Sequence, residues 1–408
     1  IEQDQRALAG ISISEDPSQL SEAIVAGVHA ALPEVTSDRL SRRSGRHQET
    51  DAGQPEYRLS ARETARKKME YAARQVLACR PVWATSVLAA PSRLPLVPGL
   101  FDYVIFDEAS RCDIASALPL IARAKRIVVI GDHHQIETVP RIGRAQECDL
   151  MKEAGLPLRG MAEYAQSRNS LFRFCSSRAG TRRVTLHDQF RSAPGIVDYL
   201  NDHFYDGMLT ADADISGLKV PADTNSGNRL APGICWTDVG GRASLNEAGE
   251  PHNHEEARAI VAHLKRLVRE QDYTGSVCVA SPFAAQVTLL QRLIDVDISL
   301  EYQQRAGLKI TTTDCMSHGR WDVVLFSPVA SPGIGEDALA YLMSDRRLFG
   351  AAIGQADSVV HIFGNRPFVR QSGVQHLANL ADRATDVPAT ENPGDILHDE
   401  WTRRVEVA

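Results

Sequence analysis

The sequence has few aromatic residues, no excess of positive charge and no run of eighteen consecutive apolar residues. Of its 408 residues, 43% are apolar, 6% are aromatic and 24% are charged. Without a long apolar run no membrane-spanning helix is predicted, and the apolar content is too high for a disordered chain. The 45 lysines and arginines against 52 aspartates and glutamates give a formal net charge of −7. Nucleic acid would therefore have to bind at a local basic patch.

Paired cysteines are also lacking. The seven cysteines are scattered and no two form a Cys-x-x-Cys motif, so neither a zinc ribbon nor a disulfide framework is indicated. The first residues, from Ile1, are polar and acidic, unlike a secretory signal, and we expect a reducing, cytoplasmic location. The histidine groups His133-His134 and His252-Asn253-His254 have no second pair of ligands nearby in the sequence. They are interpreted as loop residues rather than metal ligands.

Short apolar runs alternate with amphipathic segments along the chain. The runs are rich in valine and isoleucine, as in parallel strands that are buried on both faces. They lie at 104–106, 127–130, 277–279, 323–326 and 359–363. Other segments place apolar residues three and four positions apart, as amphipathic helices do. The clearest lie at 21–32, 61–76, 255–269 and 284–294. This alternation predicts an α/β fold with mostly parallel sheets flanked by helices.

Two carboxylates, Asp107 and Glu108, directly follow the apolar run at 104–106. Ligands of open α/β sheets bind beyond the carboxyl ends of the strands. There Asp107 could hold Mg²⁺, usually through water, and Glu108 could orient an attacking water. A second run, about twenty residues later, ends near Gln135. That glutamine would lie beside the first site and sense a γ-phosphate, so the two strand ends predict a nucleotide site.

The segments Asp-Glu-Ala-Ser at 107–110 and Gly-Asp-His-His-Gln-Ile at 131–136 resemble the second and third motifs of superfamily 1 helicases. The resemblance is to the branch that includes the nonsense-mediated-decay helicase and its bacterial relatives. Further segments resemble family motifs, in the family's order, at 3–8, 189–196, 280–286 and 348–356.

This resemblance implies a domain organisation and two residue roles. It implies two tandem RecA-like domains, at 1–175 and 181–385, followed by a C-terminal tail at 386–408. It also implies that Gln5 reads adenine and that Arg191 reaches the γ-phosphate of a bound nucleotide.

The phosphate loop departs from the family pattern. The family sequence Gly-Pro-Pro-Gly-Thr-Gly-Lys-Ser corresponds to residues 15–22, which include Pro17 and Ser18 but no glycine or lysine. A phosphate cradle needs glycines for inward-facing N–H groups, a lysine for the β and γ oxygens, and a hydroxyl for Mg²⁺. Here Ser21 replaces the lysine and Glu22 the hydroxyl. Three carboxylates would now flank a triphosphate, and one like-charge pair at ~4 Å costs on the order of 4 kcal/mol at an effective dielectric near 20.

Two further motifs depart independently. In the segment that couples nucleotide to nucleic acid, the family's glutamine corresponds to Ser317 and its glutamate to Arg320. The arginine finger of the last motif corresponds to Gln355, and such an arginine contributes about 10³–10⁵ in rate. We therefore expect a pseudo-helicase: a helicase fold without ATP hydrolysis or a bound cofactor, acting as a scaffold for a protein partner or single-stranded nucleic acid.

Other interpretations remain open. An active ATP-dependent DNA or RNA helicase or translocase with divergent motifs would use ATP and Mg²⁺, with the metal at Asp107. Alternatively, Asp107 and Glu108 could only cap neighbouring loops, and Arg191 could be their structural counter-charge.

Four arginines, Arg39, Arg42, Arg43 and Arg46, lie within eight residues of polar sequence. In the family this region begins the segment that grips single-stranded nucleic acid. Arginines can neutralise phosphates, with an affinity that falls as salt rises. A solvated charge run is the plainer interpretation on composition alone.

Overall fold

The computed structural model describes residues 55–135, 137, 142–156, 164–222, 230–316 and 319–388, with the backbone alone for 55–66. The predictions that lie outside these residues are Gln5, the phosphate loop with Pro17, Ser18, Ser21 and Glu22, the helix at 21–32, the arginines Arg39, Arg42, Arg43 and Arg46, and Ser317.

The described residues form two compact units. The first contains the described parts of Ile1–Ile130 and Ile142–Leu171, and the second contains those of Gly131–Arg141 and Phe172–Ala408. The domain bounds 1–175 and 181–385 stay a prediction.

The first unit has a parallel pair of strands joined through a helix. β1 and β2 pair in parallel, with Phe106 opposite Val129. Parallel neighbours need a crossover connection, which α3 supplies, and the Asp113 carboxylate caps α3 by accepting a hydrogen bond from the Ser116 N–H. The described elements of this unit are α1 (Pro55–Cys79), α2 (Ala90–Arg93), β1 (Phe101–Phe106), α3 (Ile114–Ile121), β2 (Ala124–Val129) and α4 (Arg144–Glu153). The next helix, α5 (Leu171–Ser176), belongs to the second unit except for Leu171.

The strands β1 and β2 are more exposed than their apolar runs predict. Ile105 is 62% exposed and Ile127 is 39% exposed, whereas Phe106 at the end of β1 is buried. Among the described residues this sheet has only two strands, so neither strand has neighbours on both sides. The strands are confirmed, but their predicted burial on both faces is wrong.

The second unit is built around a six-stranded sheet. Its strand order is β12-β5-β11-β10-β8-β9, and every pairing is parallel. The strands are β3 (Asp188–Gln189), β4 (Thr210–Ala211), β5 (Gly233–Asp238), β6 (Ser244–Leu245), β7 (Pro251–His252), β8 (Val277–Ser281), β9 (Lys309–Thr312), β10 (Trp321–Phe326), β11 (Ala356–Gly364) and β12 (Thr385–Asp386). The helices are α6 (Pro194–His203), α7 (His254–Lys265), α8 (Ala284–Asp297), α9 (Leu300–Arg305), α10 (Glu336–Ser344), α11 (Arg347–Gly354), α12 (Arg366–Gln371) and α13 (Gln375–Arg383).

Helices cover both faces of this sheet. On one face α6, α11 and α13 pack over Trp236 and Phe326. On the other face α7 and α8 pack over Val279 and Leu325. Every residue of the central strand β11 is buried, as expected for a parallel strand with helices on both sides. The predicted α/β class and the predicted strands at 277–279, 323–326 and 359–363 are confirmed.

The start of the predicted tail is part of the sheet. Asp386 lies in β12, where it pairs with Trp236 of β5. The next residue, Val387, is buried and its N–H donates to the Trp236 carbonyl.

All seven cysteines are unpaired. None of the described helices combines the length and hydropathy needed to cross a bilayer.

Candidate nucleotide site

Asp107 and Glu108 lie at the carboxyl end of β1, as the sequence predicts. The Ile130 N–H donates to the Phe106 carbonyl, and the Ala109 N–H donates to the Ile130 carbonyl, both at 2.8 Å. These bonds hold the end of β1 against the end of β2. The Asp107 carboxylate accepts a hydrogen bond from the Glu108 N–H at 3.0 Å, so Asp107 does cap its own turn.

Glu108 has an uncommon backbone conformation. Its φ of 52° and ψ of 39° place it in the left-handed region, just before a short 3₁₀ turn at Ala109–Arg111. This region costs a residue with a Cβ about 1–2 kcal/mol, and such residues often occur at functional sites. The turn directs the chain away from the strand immediately after the two carboxylates.

Gln135 is held within the second unit by Asp132 and Tyr205. The Gln135 side-chain amide donates to Asp132 Oδ2 at 3.2 Å, and the Tyr205 hydroxyl donates to the same oxygen at 2.5 Å. Burial and the neighbouring Asp132 raise the pKa of the Tyr205 phenol well above its usual value, so Tyr205 stays a donor at neutral pH. The arrangement fixes Gln135, the residue predicted to sense a γ-phosphate.

Arg191 is positioned by the loop before α6. The Gln189 side-chain oxygen accepts the Arg191 N–H at 2.8 Å and the Ser192 N–H at 2.9 Å, which shapes the turn that carries Arg191. The guanidinium donates through Nη2 to the Gly354 carbonyl, at the end of α11.

The counter-charge of Arg191 is Asp357, a residue that the sequence analysis did not identify. Arg191 Nε lies 3.2 Å from Asp357 Oδ1, and Arg320 Nε donates to Asp357 Oδ2 at 2.6 Å. Asp357 is 6% exposed, whereas the Arg320 side chain is 66% exposed and that of Arg191 is 32% exposed. One buried carboxylate therefore bridges two guanidinium groups. The signal that could have identified it is an acidic residue two positions before the apolar run at 359–363, within the same strand β11.

This cluster also contains the position of the expected arginine finger. Gln355 is buried, and its carbonyl accepts the N–H of Trp321 at 3.1 Å. Burial lowers the pKa of the Arg191 guanidinium; Asp357 opposes this shift and Arg320 adds to it. With two guanidinium groups and one carboxylate the cluster has an excess of one positive charge. The structure thus brings Arg191 and Arg320 to one carboxylate next to Gln355.

The described second unit, with a parallel sheet covered on both faces, defines an α/β protein.

Two family models, both described as an AAA domain, match residues 4–139 and 167–367. Among curated proteins, an uncharacterised ATP-dependent helicase of Mycoplasma genitalium is 25% identical over 60% of this chain and 21% of its own length. Helicase sen1 of Schizosaccharomyces pombe is 25% identical over 72% of this chain and 16% of its own length.

These matches support membership of the superfamily 1 helicase family. The chain spans about a fifth or less of the length of these two relatives. A solved structure of PRRSV helicase covers 71% of this chain and 38% of its own, at 13% identity and a TM-score of 0.32. The degenerate motifs and the bacterial-type branch stay predictions.

Proposed function

We propose that this chain is a helicase-like protein that has lost ATP hydrolysis and serves as a scaffold or as a subunit that binds a protein partner or nucleic acid. The observation that carries the proposal is the ion pair between Arg191 and Asp357. By family resemblance Arg191 meets the γ-phosphate. Here a buried carboxylate of the same unit already neutralises it.

The Asp357 carboxylate weakens the attraction of this cluster for a bound triphosphate, because it cancels one of the two guanidinium charges. A γ-phosphate at Arg191 would lie close to the Asp357 carboxylate, whose Oδ1 is 3.2 Å from Arg191 Nε. Two like charges ~4 Å apart cost on the order of 4 kcal/mol at an effective dielectric near 20. The neutral Gln355 cannot offset this cost, and Arg320 is itself paired with Asp357. The residues of the predicted phosphate loop, 15–22, add three carboxylates and no lysine.

ATP turnover by the full chain, with and without single-stranded DNA or RNA, tests this proposal. We expect wild type and the Glu108→Gln variant to show the same background rate, because no triphosphate is held for Glu108 to act on. Turnover that nucleic acid stimulates and that Glu108→Gln abolishes would overturn the proposal.

The second candidate is an active ATP-dependent helicase or translocase. It is favoured by the names of the relatives and by the retention of Asp107, Glu108, Gln135 and Arg191. This candidate predicts that ATP with Mg²⁺ raises the melting temperature, because a ligand at 100 times its Kd stabilises the folded state by about 2.7 kcal/mol. An unchanged melting temperature at millimolar nucleotide would rule it out.

Nucleic-acid binding by the scaffold is proposed to involve the arginine run at 39–46. The double variant Arg42→Glu with Arg43→Glu should abolish binding of a labelled single strand, since it replaces two phosphate contacts with repulsion. A matched control is Arg370→Glu with Arg383→Glu, which changes the same charge at two exposed arginines of the second unit. Equal loss in both variants would show that only net charge matters.

A further inference from the structure

Asp132, His133 and His134 form a cluster of possible metal ligands. Each offers one ligand atom, and the three atoms lie within 4.8 Å of one another. The two imidazole rings are adjacent, with centroids 3.9 Å apart. From the sequence alone the two histidines are interpreted as loop residues, because no second pair of ligands lies nearby. The structure places the Asp132 carboxylate beside them.

Hydrogen bonds fix the carboxylate of this cluster. Asp132 Oδ1 accepts the His134 N–H at 2.8 Å, and Oδ2 accepts the Tyr205 hydroxyl at 2.5 Å. The Gln135 side chain adds a third bond to Oδ2. Carboxylates that bind metals are commonly oriented by such partners, and these partners strengthen binding.

Tyr205 also supports the second ligand. Its ring lies 4.9 Å from the His134 ring, centroid to centroid. Tyr205 follows the end of α6, where its N–H donates to the Leu200 carbonyl and its ring packs against the hydrophobic core. His133 is exposed, and the ring beside it is that of His134, which belongs to the same cluster, so the His133 side chain can rotate towards an ion. The cluster thus combines two supported ligands with one adjustable ligand.

We propose that Asp132, His133 and His134 bind one divalent transition-metal ion, of which Zn²⁺ is the best match. Two imidazole nitrogens and one carboxylate oxygen suit Zn²⁺ and its neighbours, whereas Mg²⁺ and Ca²⁺ prefer oxygen ligands alone. Zinc–ligand distances of about 2.0–2.2 Å require the ligand atoms to draw together by roughly 1 Å, which rotation of His133 allows. Three protein ligands leave the fourth position to water.

The bound ion would fasten the segment that carries Gln135. Asp132 already accepts a hydrogen bond from Tyr205, which follows α6. The ion would link His133 and His134, from the same segment, to this anchored carboxylate. The proposal is independent of ATP hydrolysis, since all three ligands and Tyr205 lie in the second unit.

Metal binding by the full chain, freed of metal by a chelator, tests the proposal without nucleotide. Co²⁺ serves as the probe, since its visible absorption reports imidazole ligation, and Zn²⁺ serves as the competitor. We expect one Co²⁺ per chain, displaced by Zn²⁺. His133→Ala with His134→Ala should abolish the signal, and Tyr205→Phe should weaken Zn²⁺ binding about 10–100-fold, as loss of a ligand-orienting partner does.

The matched control is His252→Ala with His254→Ala, which removes another pair of neighbouring rings, with centroids 5.2 Å apart. This control should bind Co²⁺ as wild type does. The single variant His133→Ala guards against misfolding, because His133 is exposed, and it should still lose most of the affinity. Equal binding by wild type and the His133→Ala/His134→Ala variant would overturn the proposal. So would equal losses in that variant and in the control, which would show adventitious binding by surface histidines only.

Discussion

At the scale of single residues, the buried Asp357 carboxylate forms ion pairs with two arginines, Arg191 and Arg320. Asp357→Asn keeps the shape of the side chain and removes its charge. We expect the free energy of unfolding to fall by about 1–3 kcal/mol. This is less than the ~3–5 kcal/mol for breaking a fully buried pair, because water screens both arginines. Urea unfolding measures the change.

The control for Asp357 is an exposed ion pair in the same unit. Asp382 pairs with Arg370 at 2.8 Å, and the two side chains are 65% and 50% exposed. Asp382→Asn should change stability by less than about 1 kcal/mol. If Asp357→Asn is no more destabilising than Asp382→Asn, the bridge contributes nothing to folding.

Glu256 is a buried carboxylate in a polar network at the start of α7. It accepts hydrogen bonds from the Ser327 hydroxyl at 2.6 Å and from the Val329 N–H at 2.9 Å. Val329 has a φ of 59°, which is strained for a β-branched residue, so the bond to Glu256 helps to hold that turn. Burial raises the pKa of Glu256 to about 8. The carboxyl group is therefore mostly protonated at neutral pH.

The raised pKa of Glu256 makes stability depend on pH. The unfolded carboxyl group has a pKa near 4.3, so between about pH 4.3 and 8 the folded state binds one proton more. The contribution of Glu256 to stability therefore falls as pH rises, by up to about 1.4 kcal/mol per pH unit. Glu256→Gln should remove this slope, which urea unfolding at several pH values measures. An unchanged slope would show that Glu256 is ionised in the folded protein.

Buried polar residues of this kind are the part of the structure that sequence patterns do not reveal. Asp357 and Glu256 lie far along the chain from Arg191 and Ser327, their respective partners. Their roles depend on long-range packing, whereas a motif records only local spacing. The carboxylates Asp107 and Glu108 could be placed because they directly follow an apolar run.

At the scale of elements, apolar runs predict strands well and their surroundings poorly. The runs that became β8, β10 and β11 lie between two helical layers and are buried. The equally apolar run of β1 leaves Ile105 exposed. A run of apolar residues shows that a strand can be buried on both faces, but not which elements cover it. Two-residue strands such as β12 are too short to give any pattern.

Arg366, at the start of α12, anchors the edge strand β12. It is 8% exposed, donates to the carbonyls of Ala381 and Ala384, and pairs with Asp386 of β12. Arg366→Met keeps much of the apolar volume but leaves the two carbonyls without this donor, which costs about 1–3 kcal/mol. Hydrogen exchange should show faster exchange of the Val387 amide, while β11 stays protected.

Arg370→Met is the control for this element. Arg370 lies one turn further along α12, and its side chain is 50% exposed. Its loss should leave exchange at Val387 unchanged. Equal effects of the two variants would mean that α12 as a whole, rather than the Arg366 guanidinium, holds the edge strand.

At the scale of the molecule, buried histidines oppose the pH dependence that Glu256 causes. His263 and His361 are buried with ring centroids 4.6 Å apart, and His361 Nε2 lies 2.8 Å from the Thr237 hydroxyl. Burial lowers the pKa of His263 to about 3, and burial together with the neighbouring His263 and Arg266 lowers that of His361 well below its usual value. Both rings are therefore neutral in the folded protein.

Glu256 and the two buried histidines change stability with pH in opposite directions. Below the unfolded histidine pKa of about 6.5, the unfolded state binds more protons at both histidines, so stability falls as pH falls, and this outweighs the single proton of Glu256. Above about pH 6.5 the contribution of the histidines fades, whereas the contribution of Glu256 to stability keeps falling as pH rises. Urea midpoints of wild type and of Glu256→Gln, measured at about pH 5, 6.5 and 8 and constant ionic strength, separate the two contributions. The midpoint of wild type relative to that of Glu256→Gln should fall as pH rises from about 5 to 8, because the two proteins differ only in the proton bound by Glu256. A difference between the two midpoints that does not change with pH would contradict the protonation of Glu256.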